Sequence, residues 1–223
     1  MERSAFLARV RAATGARAPG GLPRFLAPSP TRDRATVLAE MAARWRRPHA
    51  TWREVPSADT AHAVVDVLQF AQARRVVVSA DPWLDRLGIA PAIQAAGITL
   101  VEVPRSPEVV HGSLPQVDAG VTVPTYAVAE TATLVEVARP EQPRALSLVP
   151  PVHVAVLRAA AVLSALDDLF AVLGAGPLEH AVSCISGASG TADIGLQHIT
   201  GVHGPGDVHV IVVTDAVSAQ TPE

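Results

Sequence analysis

The segment from Ile185 to Pro205, ISGASGTADIGLQHITGVHGP, gathers the residue types best able to do chemistry. It carries five glycines, the hydroxyls of Ser186, Ser189 and Thr191, a single acid at Asp193, and the imidazoles of His198 and His203. Gly187 and Gly190 let the main chain come close to a ligand, because a residue without Cβ adopts positive φ freely. Exposed N–H groups in such a loop can cradle an anion. The same glycines weaken a helix or strand interior by about 0.5–1 kcal/mol each relative to alanine, so the segment reads as a loop system. SCISGASGTADI follows an apolar strand pattern, which puts the loop at a strand end, where open α/β sheets bind ligands. Its spacing is neither GxGxxG nor a P-loop. The alternative is a tight turn whose hydroxyls cap a short helix.

Asp193 has two readings: a brace accepting hydrogen bonds from its own loop, or a direct contact to ligand. Catalysis by it would require a desolvated pocket and a partner that tunes it. His203, in GVHGP, sits on a rigid exposed turn, as an acid, base or anion contact or as a turn stabiliser. His198, His203 and His209 are five and six residues apart, which matches no common metal pattern, and no metal site is expected. Glu130, in AVAETATLVEV, is a candidate nucleophile toward an activated acyl group or a general base. Its structural alternative is an edge acid held by Thr131 and Thr133. His153 reads as a satisfied core histidine, and Cys184, on a strand, as inert core.

Composition narrows the chemistry. The chain has 223 residues, 49% of them hydrophobic, enough for a sizeable core. One cysteine excludes disulfide frameworks and cysteine-ligated zinc or iron-sulfur centres built from this chain alone. All 18 basic residues are arginine, which excludes Schiff-base lysines, pyridoxal phosphate attachment and a Walker A lysine. Residues 1–53 hold eleven arginines against three acids, a balance of +8, and residues 54–223 hold seven against eighteen, a balance of −11. The basic part has few interleaved aromatics, so it reads as a solvated arm docking on the acidic body or a partner, not as a nucleic-acid interface. No apolar run approaches the roughly 20 residues that span a bilayer, and the first residues lack the apolar core of a secretory signal. A soluble, cytoplasmic protein is expected.

The elements that must position these groups follow from periodicity. SAFLARVRAATG and TRDRATVLAEMAARW read as helices, the second with Val37, Leu38, Met41 and Trp45 on one face. SADTAHAVVDVLQFAQA is a helix capped by Ser57 or Asp59, and PWLDRLGIAPAIQAAG another. RRVVVSA and ITLVEVP are short strands, and AGVTVPTYAVAETATLVEVA is a pair of strand segments around a turn, the first limited by Pro124. SLVPPVHVAVL, HAVSCISG and DVHVIVV are further strands, and AAVLSALDDLFAVLG is a helix ending at Gly174 and Gly176. VHVAVL and VHVIVV nearly repeat, each histidine pointing opposite to the flanking valines if extended. Helices alternating with short apolar strands imply an α/β fold with a mainly parallel sheet flanked by helices. Residues 1–53 form a basic helical N-terminal extension and residues 54–223 the α/β domain.

AETATLVEV, RALSLVPPVHVAVL, ISGASGTADI and GVHGPGDVHVIVV, in this order and spacing, resemble the LUD-domain family, specifically its small lactate utilization protein C type. The resemblance covers roughly residues 118–213. It implies a fold like that of the sugar-phosphate isomerase and CoA-transferase superfamily, and a role in oxidising L-lactate to pyruvate beside two partner proteins that carry iron-sulfur clusters. This chain is then a non-redox accessory subunit with no cofactor of its own, binding a small anionic metabolite or a partner through loops around Glu130, Ser186 to Asp193 and His203. The alternative is an enzyme of the superfamily acting on a CoA thioester, a phosphosugar or a folate-like substrate. Glu130, Thr191, Asp193 and His203 match the family motifs. Two positions depart from them: Ala132 stands where the family turn has glycine, and Gly195 where it has an acid.

Overall fold

The computed structural model describes residues 3–14, 32–45, 48–104, 114–175, 181–192 and 198–215. Helix α1 (Arg3–Thr14) comes first, and Arg3 to Phe6 on it are exposed. Helix α2 (Arg34–Trp45) buries Val37, Leu38, Met41 and Trp45, the face read from its spacing. Strand β1 (Ala50–Val55) follows. The sequence pattern does not suggest it, because on this outer strand only Val55 is buried and Arg53 and Glu54 are exposed. The expected boundary between residues 53 and 54 falls inside this strand.

Helix α3 (Ser57–Phe70) starts after Pro56 and has no side-chain cap. Ser57 is its first helical residue, and its N–H and Oγ both donate to the Asp215 carboxylate at 2.6 Å. Strand β2 (Arg75–Val78) leads into α4 (Pro82–Arg86), capped by Asp81, which accepts from the Trp83 N–H at 2.9 Å. The single helix expected here is two. Gly88 takes φ 67 and Pro91 lacks the N–H that would bond back one turn, so α5 (Ile89–Ala95) starts afresh.

Strands β3 (Thr99–Val101), β4 (Ala119–Thr122), β5 (Tyr126–Val128) and β6 (Thr133–Val137) come next. Short helix α6 (Ala145–Leu148) precedes β7 (Val152–Arg158), and β8 (Val162–Leu163) follows it. Helix α7 (Leu166–Leu173) is shorter than its pattern suggested, because Val162 and Leu163 pair with β5 instead of coiling. The Ala165 N–H donates to Asp168 at its start, at 3.0 Å. Gly176 lies outside the described residues. Strands β9 (Val182–Ile185), β10 (Gly190–Ala192), β11 (His198–Thr200) and β12 (Asp207–Val213) complete the described chain.

Six strands form one parallel sheet in the order β1-β12-β7-β4-β2-β3. A second sheet, β8-β5-β6-β9, is mostly antiparallel, and β10 pairs with β11 as an antiparallel ribbon. One face of the parallel sheet packs Val76, Val121, Val154 and Ile211 against Val64 and Leu68 of α3, Trp83 of α4 and Ile93 of α5. The other packs Ala155, Leu157, Val208 and Val210 against α2 and against Ala127, Leu134 and Ile185 of the second sheet. Strands covered on both sides are apolar at nearly every position, which is why β7 and β12 read as continuous runs. The α/β fold with a mainly parallel sheet flanked by helices is therefore the fold of this chain.

The two near-repeats are neighbours. In the β7–β12 register, His153 lies opposite Val208 and His209 opposite Val154. Paired residues share a face, so His153 points to the α2 side and His209 to the α3 side. Among the described residues no helix is long and apolar enough to cross a membrane.

Candidate functional site

The described residues of the glycine-rich segment are bonded to one another across it. Gly190–Ala192 pair with His198–Thr200, and the Gly201 N–H donates to the Ser189 carbonyl at 2.8 Å. The Ser189 N–H donates to the Pro205 carbonyl at 2.8 Å, and Ser189 Oγ accepts from the His203 N–H at 3.2 Å. This ties the loop carrying Ser186 to Gly190 to the loop carrying His203, whose side chain is exposed. Gly187 takes φ 133, a value that favours glycine. Asp193 and Gly195 lie outside the described residues, as does everything the sequence placed on them.

The position of this assembly corrects one expectation. The Gly206 N–H donates to the Pro151 carbonyl at 2.9 Å, immediately before β7, and Pro205 lies just before β12. The loop follows β9 of the small sheet, but it stands at the N-terminal edge of the parallel sheet, opposite the edge where such sheets hold ligands.

A row of hydroxyls joins it to the turn between β5 and β6. Thr133 Oγ1 lies 2.8 Å from Thr131 Oγ1 and 2.8 Å from Ser186 Oγ. Glu130 is exposed, and its carboxylate is held by neither threonine: Oε2 accepts from the Leu166 N–H at the start of α7, at 3.2 Å. A carboxylate there suits the positive end of a helix. Ala132 takes φ 48 in this turn, the left-handed geometry that glycine adopts without strain, and is fully buried. The departure from family glycine therefore leaves the turn's conformation in the glycine region. Cys184 is exposed, contrary to the core position expected, because β9 is the outer strand of the small sheet.

The structure also shows a cluster that residue spacing did not bring out. Glu136 on β6 points across to His153 on β7, with Oε1 3.4 Å from Nε2 and both side chains essentially without solvent exposure. Thr122 at the end of β4 donates its hydroxyl hydrogen to Glu136 Oε1 and accepts from His153 Nε2 at 2.7 Å. Burial pushes the Glu136 carboxyl up. The His153 hydrogen bond and charge, with the hydrogen bond from Thr122, outweigh it and hold the group below the ordinary carboxylate range. Glu136 Oε2 and His153 Nδ1 are buried without a hydrogen-bond partner. His153 is thus a core histidine, but only its Nε2 is satisfied. Each residue stands as a lone ionisable group in an apolar run, and that was the available signal: a buried charge needs a partner. Among the described residues no three His, Cys, Asp or Glu side chains are placed to share a metal ion.

Comparison with known proteins places the chain. The LUD domain model matches residues 38–213. The chain is 32% identical over 208 residues to lactate utilization protein C of Deinococcus radiodurans, covering 91% of each chain. It is 31% identical to the uncharacterized protein YkgG of Escherichia coli, covering 71% of each. The crystal structure of a DUF162 family protein from Deinococcus radiodurans superposes with TM-score 0.59 at 26% identity, covering 82% of this chain and 99% of that one. With a family model matching residues 38–213 and a relative 32% identical over 91% of both chains, this chain belongs to the LUD domain family.

Proposed function

We propose that this chain serves lactate utilization as a non-redox accessory subunit of a cytoplasmic system that oxidises L-lactate to pyruvate, with iron-sulfur clusters carried by partner proteins. The observation that carries this reading is the 32% identity across 91% of both chains to a lactate utilization protein C. The cysteine count supports the division of labour: Cys184 by itself cannot hold a cluster, which needs several thiolate ligands. The joined loops of Ser186 to Gly190 and His203, with the Thr131–Thr133–Ser186 hydroxyl row, are the surface this reading assigns to a small anion or a partner.

Acid–base catalysis on a CoA thioester, phosphosugar or folate-like substrate is the less favoured reading. A catalytic carboxylate is tuned by a desolvated pocket, whereas Glu130 is exposed and already accepts a helix amide. The test is genetic. Cells from which this chain is deleted should lose growth on L-lactate as sole carbon source while growing normally on pyruvate. Unchanged growth on both would refute the role.

A further inference from the structure

We propose that the C-terminal edge of the parallel sheet binds a small oxyanion, a carboxylate or phosphate group, gripped by Arg139 and Arg158. The site is distinct from the glycine-rich loops and stands independently of the role in lactate utilization.

The topology creates the place. β2 and β4 are neighbours in the sheet. The chain leaves β2 for α4, whose Trp83 and Leu84 pack on the α3 side, and leaves β4 for β5, whose Ala127 packs on the α2 side. Two adjacent parallel strands whose connections depart to opposite faces open a crevice at their C-terminal ends, and such crevices are where open α/β sheets take ligands. The loop after β6 is fastened over it. Gln142 accepts from the Val123 N–H at 2.8 Å and donates to the Val123 carbonyl at 3.0 Å, while the Ala80 N–H donates to the Glu141 carbonyl at 3.0 Å. This anchoring holds Arg139 at the mouth of the crevice. Arg158, the last residue of β7, reaches it from the strand next to β4.

The charges there are unbalanced. Asp81 is buried, with Arg139 Nη2 3.4 Å from Oδ2 and Arg158 Nη2 3.8 Å from Oδ1. Both separations exceed the roughly 2.7–2.9 Å of a charge-assisted N–H···O bond, so Asp81 positions the two guanidiniums without satisfying them. Asp81 Oδ1 is also engaged by the Trp83 N–H. Arg139 Nε is buried and has no hydrogen-bond partner, while the two guanidinium side chains remain 39% and 36% exposed. Arg158 lies over the Trp83 ring with its Cζ 3.9 Å from the centroid, which fixes the plane of its fork. Burial, then the charges of Arg139 and Arg86 against the opposing pull of Asp81, lowers the Arg158 pKa, placing a third cation within electrostatic range. Two of the seven arginines in residues 54–223 thus share one carboxylate. Two oriented guanidinium forks with donors to spare match the paired oxygens of a carboxylate or phosphate.

The test is calorimetric titration of the purified full chain at low ionic strength, with inorganic phosphate in one arm and L-lactate in the other. Saturable one-site binding of at least one probe is expected, and the arm that binds identifies the oxyanion. Arg139→Gln and Arg158→Met should each weaken it tenfold or more, whereas Arg53→Gln, which removes an exposed arginine paired with Asp66, should leave it unchanged. A second measurement needs no variant: the binding anion should raise the wild-type Tm beyond chloride at equal ionic strength, since ligand binding to the folded state stabilises it. No saturable binding in either arm, equal weakening by Arg53→Gln, or a Tm rise matched by chloride would overturn the proposal.

Discussion

The Glu136 carboxylate and the His153 imidazole face each other across the two sheets at 3.4 Å, with Thr122 bonded to both. They join the second sheet to the parallel sheet through a polar contact inside an apolar layer. Neither side chain can lose its partner without leaving a buried ionisable group, which is expensive in a low-dielectric interior.

Replacing only one partner should therefore cost more than replacing both. His153→Phe is expected to destabilise the protein by about 3–5 kcal/mol, because it strands the Glu136 carboxylate. Glu136→Leu combined with His153→Phe should recover a large part of that loss. Urea unfolding of the single and double variants checks this; a double variant less stable than the single one would contradict it.

Two buried groups set the acid side of the stability profile. The Glu136 pKa is held below its ordinary value of 4.5, so its contribution is complete above that pH and is lost as pH falls through the folded value. His209 is lowered from 6.5, by burial first, with Asp207 opposing and His153 adding to it. Its neutral form bonds Thr51 Oγ1 at 2.8 Å. Folding thus excludes a proton that the unfolded chain accepts, and stability should begin to fall below pH 6.5, with a second decline below pH 4.5. Denaturant midpoints measured from pH 8 down to about pH 2.5 should show both steps, and His209→Gln should remove the first.

Gly120 on β4 is expected to tolerate no side chain. A Cβ there would lie 2.0 Å from the Leu146 carbonyl oxygen, which is main chain of α6 and cannot swing aside as a side chain would. Gly120→Ala should cost about 3 kcal/mol or more, at the upper end for overpacking. A variant with an unchanged urea midpoint would show that α6 moves freely.

The two N-terminal helices should behave differently. Met41 of α2 is fully buried against the parallel sheet, so Met41→Ala is expected to cost about 2–5 kcal/mol. Phe6 of α1 is 49% exposed, and Phe6→Ala should stay within about 0.5 kcal/mol. Thermal unfolding of the pair would locate the start of the cooperative unit between these helices, N-terminal of a boundary at residue 53.

What the sequence made legible was local. The α2 face of Val37, Leu38, Met41 and Trp45 follows from helical spacing alone, and the apolar runs of β7 and β12 follow from burial on both sides. The contact of Glu136 with His153 joins strands of different sheets, and no periodicity within one element records such a pairing. The break at Gly88 was carried by Gly88 and Pro91, which an apolar period spanning both masked. Cys184 was misplaced because VSCI has the composition of a core strand, and only the strand order makes β9 an outer one. The glycine loop is recognisable by its residues, but which edge of the parallel sheet it occupies depends on the Ser189–Pro205 and Gly206–Pro151 hydrogen bonds.

The most direct test of the account is lactate-dependent dye reduction in lysates of cells lacking this chain, before and after the pure protein is added back. The account predicts that the activity is absent or much reduced without the chain and returns in proportion to the protein added. Undiminished reduction in its absence would contradict a role for this chain in oxidising lactate.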